Sequence, residues 1–167
     1  YVSVNVSPRQ FRDQEFYNVV RRALDLSGIE PSSLVLELTE SVLLYNDERI
    51  LREMSSLTDL GIRIAIDDFG TGYSSLTHLR RFNLDYLKID KSFVDGLGRN
   101  AEDTAIIEHV IGLAHTLGLK VIAEGIEEAA QFKALRALGC DFAQGYFFSR
   151  PQPADVIGQL LRLSTQE

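Results

Sequence analysis

The sequence predicts an α/β protein, a TIM-type (β/α) barrel represented by six β/α units of an incomplete barrel in 167 residues. Three observations carry this. Short apolar segments alternate with stretches of helical period, and the order strand, helix, strand implies parallel strands. Glycine ends the helices just before the strands begin. A polar or charged residue also closes every strand, and a closed barrel gathers its strand ends around one cavity. In an open sheet six such ends would spread over about 24 Å, at roughly 4.8 Å per strand.

The first strand, Val2 to Val6, carries Asn5, and Leu26-Ser27-Gly28 stops the helical stretch that follows. Leu34 to Leu38 carries Glu37 and leads to Glu40. Ile50, Met54 and Leu57 then recur at helical spacing, with Asp47 as N-cap and Asp59-Leu60-Gly61 as stop. Ile62 to Ile66 runs into Asp67 and Asp68, and a loop with two glycines leads to a helix start at Ser74 or Ser75. Tyr86 to Ile89 carries Lys88 and leads to Asp90; Lys91 to Gly98 is a loop with a short helical turn. Ile106, Val110, Leu113 and Leu117 mark a helix capped by Asp103 and stopped by Thr116-Leu117-Gly118. Leu119 to Ala123 leads to Glu124, with Glu127 just beyond. Phe132, Leu135 and Leu138 form the next stripe, Ala137-Leu138-Gly139 stops it, and the strand around Phe142 leads to Gln144 and Gly145. Pro153 opens the last helix. The count is six strands and six helices, with the stripes facing a core. One domain is expected over 1–163, with 164–167 as a tail.

Composition narrows the partners. The formal charge is −7, and setting aside Glu37, Glu40, Asp67, Asp68, Asp90 and Glu124 raises it to −1. A nearly neutral remainder lacks the basic footprint of a duplex nucleic-acid binder. A small anionic ligand stays open, because divalent cations invert the local sign. The lone Cys140 reads as a small buried hydrophobe in a reducing compartment. His78, His109 and His115 lack metal-ligand spacing, and Arg80-Arg81 reads as a solvated helix face. No apolar run approaches a membrane span. A full barrel takes about 250 residues, and the chain opens on Tyr1 inside a strand. The expectation is a segment lacking the barrel's first strands, with open edges that invite association.

The chemistry concentrates at Asp67-Asp68. Two adjacent carboxylates at a buried strand end are costly unless cations or hydrogen bonds compensate. The pair would hold two cations, or one cation and a structural contact. Asn5, Glu37 and Asp67 offer oxygen only, which selects Mg²⁺ or Mn²⁺ over softer metals, with Ca²⁺ as a competitor. Asp68 and Asp90 would hold a second ion, and two ions about 3.5–4 Å apart suit in-line phosphoryl displacement. Glu124 would orient or deprotonate the attacking water. Lys88 among these acids stays charged and stabilises a phosphate, or makes a plain ion pair with Asp90 or Glu124. Schiff-base chemistry at Lys88, or Mg²⁺-stabilised enolate chemistry, is the rival enzyme reading, and the acids around the amine disfavour a neutral lysine.

Taken in order, Val4-Asn5-Val6-Ser7, Glu37-Leu38-Thr39-Glu40-Ser41, Asp67 through Leu76, Leu87-Lys88-Ile89-Asp90-Lys91-Ser92-Phe93, Ala123-Glu124-Gly125-Ile126-Glu127 and Gln144-Gly145-Tyr146 resemble the motifs of EAL domains. These are bacterial phosphodiesterases that open cyclic di-GMP to linear pGpG, and the resemblance covers essentially the whole chain. It implies Asn5, Glu37 and Asp67 at one metal, and Asp67, Asp68 and Asp90 at a second. It gives Lys88 and Glu124 to water activation and charge stabilisation, Glu40 to anchoring the loop after Asp68, and Glu127 and Gln144 to lining the site. The Glu-Ala-Leu signature and its nearby Arg are absent from these residues. The resemblance therefore implies a catalytic parent domain and an isolated segment with little activity. A non-catalytic cyclic di-GMP receptor is the alternative. A homodimer, flanking sensory or diguanylate-cyclase domains, and the bacterial cytoplasm, with any membrane anchor elsewhere in the parent, complete the expectation.

Overall fold

The computed structural model describes residues 1–44, 48–70 and 79–164. Six strands form one sheet in chain order: β1 (Val2–Val6), β2 (Leu34–Thr39), β3 (Arg63–Phe69), β4 (Tyr86–Ile89), β5 (Lys120–Ala123) and β6 (Phe142–Ala143). Every neighbouring pair is parallel. Helices cross between them: α1 (Pro8–Phe11), α2 (Phe16–Ser27), α3 (Glu48–Asp59), α4 (Lys91–Asp95), α5 (Ala101–Thr116), α6 (Ala129–Ala137) and α7 (Ala154–Ser164). The architecture is the incomplete parallel barrel that the element order predicts. Among the described residues there are seven α-helices and two 3₁₀ turns rather than six helices. The additional elements are α4, expected as a short turn within a loop, and α1, where Pro8 follows Ser7 and the Ser7 hydroxyl accepts from the Gln10 N–H in a capping box. The Asp47 cap and the helix start at Ser74 or Ser75 lie outside the described residues.

The stops fall as the glycine pattern predicts: Gly28, Gly61, Gly118 and Gly139 all have positive φ, a region that costs side chains with a Cβ. Ile50, Met54 and Leu57 are buried between α3 and the sheet. Truncating one of them to Ala would cost about 2–5 kcal/mol. The stripe of α5 is a correction. Ile107, Ile111 and Ala114 are buried, Val110 and Leu117 flank them, and Ile106 is exposed. The apolar arc of α5 is wide, so two rows one residue apart fit the same period, and packing against β4 and β5 selects between them. Its cap is corrected too. Asn100 accepts from the Glu102 N–H, while Asp103, one turn in, accepts from the Asn100 side chain at 2.9 Å.

Alternation along the strands separates two cores. Outward residues such as Leu36, Ile64, Leu87 and Val121 meet the helices. Inward residues Val35, Ala65, Tyr86 and Ile122, with Phe142 against them, form a second apolar layer inside the barrel. That inner layer is the floor of the site.

Candidate functional site

Two residues past each floor residue, alternation returns to the same face. The residues there are Glu37 above Val35, Asp67 above Ala65, Lys88 above Tyr86, Glu124 above Ile122 and Gln144 above Phe142. Four of them converge. The Lys88 ammonium lies 2.5 Å from Glu37 Oε2, 2.6 Å from Glu124 Oε1 and 3.1 Å from Asp67 Oδ1. Lys88 is 3% exposed and Glu37 6%. Burial works against charge on Lys88, but hydrogen bonding to the Glu124 and Glu37 carboxylates outweighs it and pushes its pKa well above the ordinary lysine value. A neutral Schiff-base amine is therefore disfavoured. Glu124 is held above the usual carboxylate range by burial, with Lys88 opposing. The ion-pair partners of Lys88 include Glu124, as one sequence alternative has it, together with Glu37 and Asp67.

The Asp pair owes its geometry to an irregularity in β3. Ile66 pairs with Leu87 and Phe69 pairs with Ile89, so Asp67 and Asp68 together stand opposite Lys88 alone. Such a bulge adds one residue to a strand and re-aims its side chains. Asp68 takes φ 56, the left-handed region that an aspartate tolerates better than most residues. Burial, then the charges of Asp67 and Asp90, push the Asp68 carboxyl above its ordinary value. Phe69 is thereby turned into the outer core, where it is buried.

The remaining sequence-predicted residues surround this cluster. Asn5 is the register partner of Glu37, on the edge strand. Asp90 caps α4, accepting from the Ser92 N–H at 3.0 Å and the Ser92 hydroxyl at 2.5 Å, and the hydroxyl bond leads in lowering its pKa. Glu40, also buried, accepts from the Gly70 N–H at 3.1 Å, tying the start of the following loop to the end of β2. Glu127 pairs with Lys91 on the surface. Glu127, Lys91, Glu124, Gly125, Gln144, Gly145 and Tyr146 line a cavity of about 280 Å³ beside the cluster.

One carboxylate oxygen from each of Glu37, Asp67 and Glu124 lies within 4.8 Å of the other two. Three carboxylates against one ammonium leave two negative charges. An all-oxygen donor set with that residual charge suits a hard divalent cation. Sequence reasoning placed Glu124 on the water rather than in this donor group. It also missed the bulge and the packing of the Arg150 guanidinium on the Tyr146 ring, 4.7 Å from its centroid. The consecutive acids at a strand end were the available signal for the bulge; nothing local in the sequence marks the Tyr146 and Arg150 contact.

A parallel barrel with acids at its strand ends defines the class, and comparison with known proteins gives the family. The EAL domain model matches residues 1–151, and the chain belongs to that family. It is 42% identical over 156 residues to the bifunctional diguanylate cyclase/cyclic di-GMP phosphodiesterase MucR of Pseudomonas aeruginosa, covering 93% of this chain and 23% of MucR. The solved PaMucR phosphodiesterase in complex with c-di-GMP superimposes with a TM-score of 0.88 at 42% identity, over 93% of this chain and 63% of that one. The manganese/cy-diGMP complex of Klebsiella pneumoniae BlrP1 matches with a TM-score of 0.81 at 30% identity, over 89% of this chain and 38% of that one. The chain spans about a fifth of the length of the curated relatives it matches.

Proposed function

We propose that the domain containing this chain hydrolyses cyclic di-GMP to linear pGpG with Mg²⁺ or Mn²⁺, most simply two ions. The observation that carries this is the meeting of the buried Lys88 and Glu37 with the partly buried Asp67 and Glu124 on one end of the barrel. Asn5, Glu37 and Asp67 would hold one ion, and Asp67, Asp68 and Asp90 the other. Bound ions supply Lewis-acid polarisation of the phosphoryl group and a more acidic water. Glu124, its pKa held up by burial, accepts the proton of the water that attacks phosphorus. The bond from phosphorus to one ribose 3′ oxygen breaks, that oxygen takes up a proton from solvent to leave as the hydroxyl of pGpG, and Glu124 returns its proton to solvent. Lys88 neutralises charge gathering on the phosphoryl oxygens. Glu40 fixes the loop after Asp68, and Glu127 and Gln144 border the ligand.

In this reading the protein works in the bacterial cytoplasm as a homodimer, with sensory or diguanylate-cyclase domains elsewhere in a longer polypeptide. No helix among the described residues is long and apolar enough to cross a membrane. The test is hydrolysis of cyclic di-GMP by the full-length protein. Turnover is expected in Mg²⁺ or Mn²⁺, and its loss in chelator or Ca²⁺, whose longer bonds and higher coordination number misalign water and phosphate. Undiminished turnover in chelator would overturn the metal requirement. Tight binding of cyclic di-GMP with no cleavage in either metal would make the domain a receptor.

A further inference from the structure

We propose that Lys88 is the resident counter-cation of the carboxylate cluster. A divalent ion entering the site displaces it, so metal loading and delivery of the ammonium to the substrate phosphate are one event. The inference rests on the metal-dependent reading above and adds an order of events to it. An ammonium has three N–H donors and no more. In this structure three carboxylates surround it, Glu37 at 2.5 Å, Glu124 at 2.6 Å and Asp67 at 3.1 Å, and Glu37 accepts a hydrogen bond from it. An ammonium held among those acids is drawn toward them and away from a phosphate oxygen. The same three residues supply the oxygens that lie within 4.8 Å of one another. A cation drawn to those oxygens meets Lys88 already among them, and positive charges at that separation repel strongly in a buried site.

The direction of the yielding side chain is set by its surroundings. Below Lys88 lies the apolar floor of Ala65, Tyr86 and Ile122, all buried. β3 and β5 flank it on either side. The remaining path leads toward the open end of the barrel, where a phosphate would sit. Lys88 therefore does two jobs in sequence. Before metal binding it keeps three repelling carboxylates together; afterwards it serves the phosphate. Keeping the cluster assembled also makes Lys88 a competitor of the metal, so its removal should tighten metal binding, whereas removal of a carboxylate should weaken it.

The experiment is calorimetric titration of Mn²⁺ alone, without nucleotide, into the full-length protein and its Lys88→Met variant. The variant should bind Mn²⁺ about tenfold more tightly, a change of about 1.4 kcal/mol. It should also melt lower than the parent without metal and gain more from Mn²⁺. Asp67→Asn should bind more weakly. Equal or weaker Mn²⁺ affinity in Lys88→Met overturns the inference while leaving the metal requirement standing; no Mn²⁺ binding by the unsubstituted full-length protein overturns both. Should Lys88→Met not fold without metal, proton–nitrogen NMR of the parent's lysine ammonium groups decides. The Lys88 signal, sheltered from exchange without metal, should move and lose that shelter as Mg²⁺ saturates. A signal unchanged by saturating Mg²⁺ refutes displacement.

Discussion

Gly145→Ala should destabilise the chain severely, and the reason is backbone rather than conformational freedom. A Cβ on Gly145 would lie 2.1 Å from the carbonyl oxygen of Ile126 and 2.2 Å from its nitrogen, where ordinary contact begins at 3.4 Å. No rotamer change relieves a clash with main chain, so the segment after β6 must retreat by about 1 Å or more, enough to disrupt close hydrogen bonds. Two such bonds span this gap: the Ile126 N–H donates to Gln144 O at 3.1 Å, and the Phe147 N–H to Ile126 O at 2.9 Å. Ile126 is fully buried, and each polar group orphaned there costs about 1–3 kcal/mol. Loss of both gives about 2–6 kcal/mol, and at about 2–4 °C per kcal/mol for this size the melting temperature should fall by at least about 4 °C. Gly112→Ala is the control of opposite sign. Gly112 lies within α5, and a Cβ there meets nothing within 4 Å, so the exchange should add about 0.5–1 kcal/mol. Thermal unfolding followed by circular dichroism measures both. A Gly145→Ala melting temperature within about 1 °C of the parent, against the shift expected from that size relation, would refute the steric argument.

Three further outcomes can be measured. Asp141 accepts from the Val121 N–H at 2.9 Å and pairs with the His115 ring at 2.8 Å; burial pushes its carboxyl up, but these bonds outweigh it and leave the pKa below the ordinary value. A depressed carboxylate contributes stability above its unfolded pKa of about 3.9 and loses it as pH falls through the lower folded value. Asp141→Asn should therefore flatten the acid limb of urea midpoints below about pH 4, and parallel limbs would count against the assignment. In the full-length protein, Glu124→Ala should lose about 10²–10⁴-fold in turnover, the usual contribution of a general base, with cyclic di-GMP affinity kept. Asp68→Ala should lose metal affinity and turnover together, and wild-type turnover in Glu124→Ala would reject its assigned role.

The barrel was legible because its two periodicities are strong and its stops are local. Glycines at positions 28, 61, 118 and 139 need only their own backbone to end a helix, so the sequence marks them without tertiary knowledge. The α5 stripe was misassigned because Ile106 and Ile107 are both apolar, and only the neighbouring strands decide which is covered. At the site, the residue types were readable and the partnerships were not. Lys88 among acids implied a charged amine, yet its simultaneous contacts with Glu37 and Glu124 span strands β2, β4 and β5. Contacts of that kind follow from the sheet order and from alternation across it. The cap of α5 was missed for a related reason. Asn100 and Asp103 each satisfy the pattern of a helix start, and the short loop from α4 places Asn100 at the boundary. Gly96 sits so close to Asp103 that a Cβ would lie 1.7 Å from its carboxylate, which fixes Asp103 inside the first turn.

The bulge in β3 explains how one strand contributes two acids to a single centre. Regular alternation would send Asp68 to the opposite face from Asp67, into the apolar layer beneath the helices. Desolvating a carboxylate there without partners is far costlier than a local backbone distortion. The extra residue between Ile66 and Phe69 resolves the conflict. It returns Phe69 to the outer core, leaves Asp67 against Lys88 and keeps Asp68 out of the apolar layer. The left-handed φ at Asp68 costs about 1–2 kcal/mol, against the loss of a buried phenylalanine if the strand ran straight. Packing of Phe69 on the outside thus stabilises the acid pair at the strand end, and the hydrogen bond from Gly70 to Glu40 holds the chain directly beyond it. The same few residues that complete the hydrophobic core also set the charge density of the centre; under the metal-binding role proposed for Asp67 and Asp68, Phe69→Ala should weaken Mn²⁺ binding by the full-length protein in a calorimetric titration, and unchanged affinity would count against this coupling.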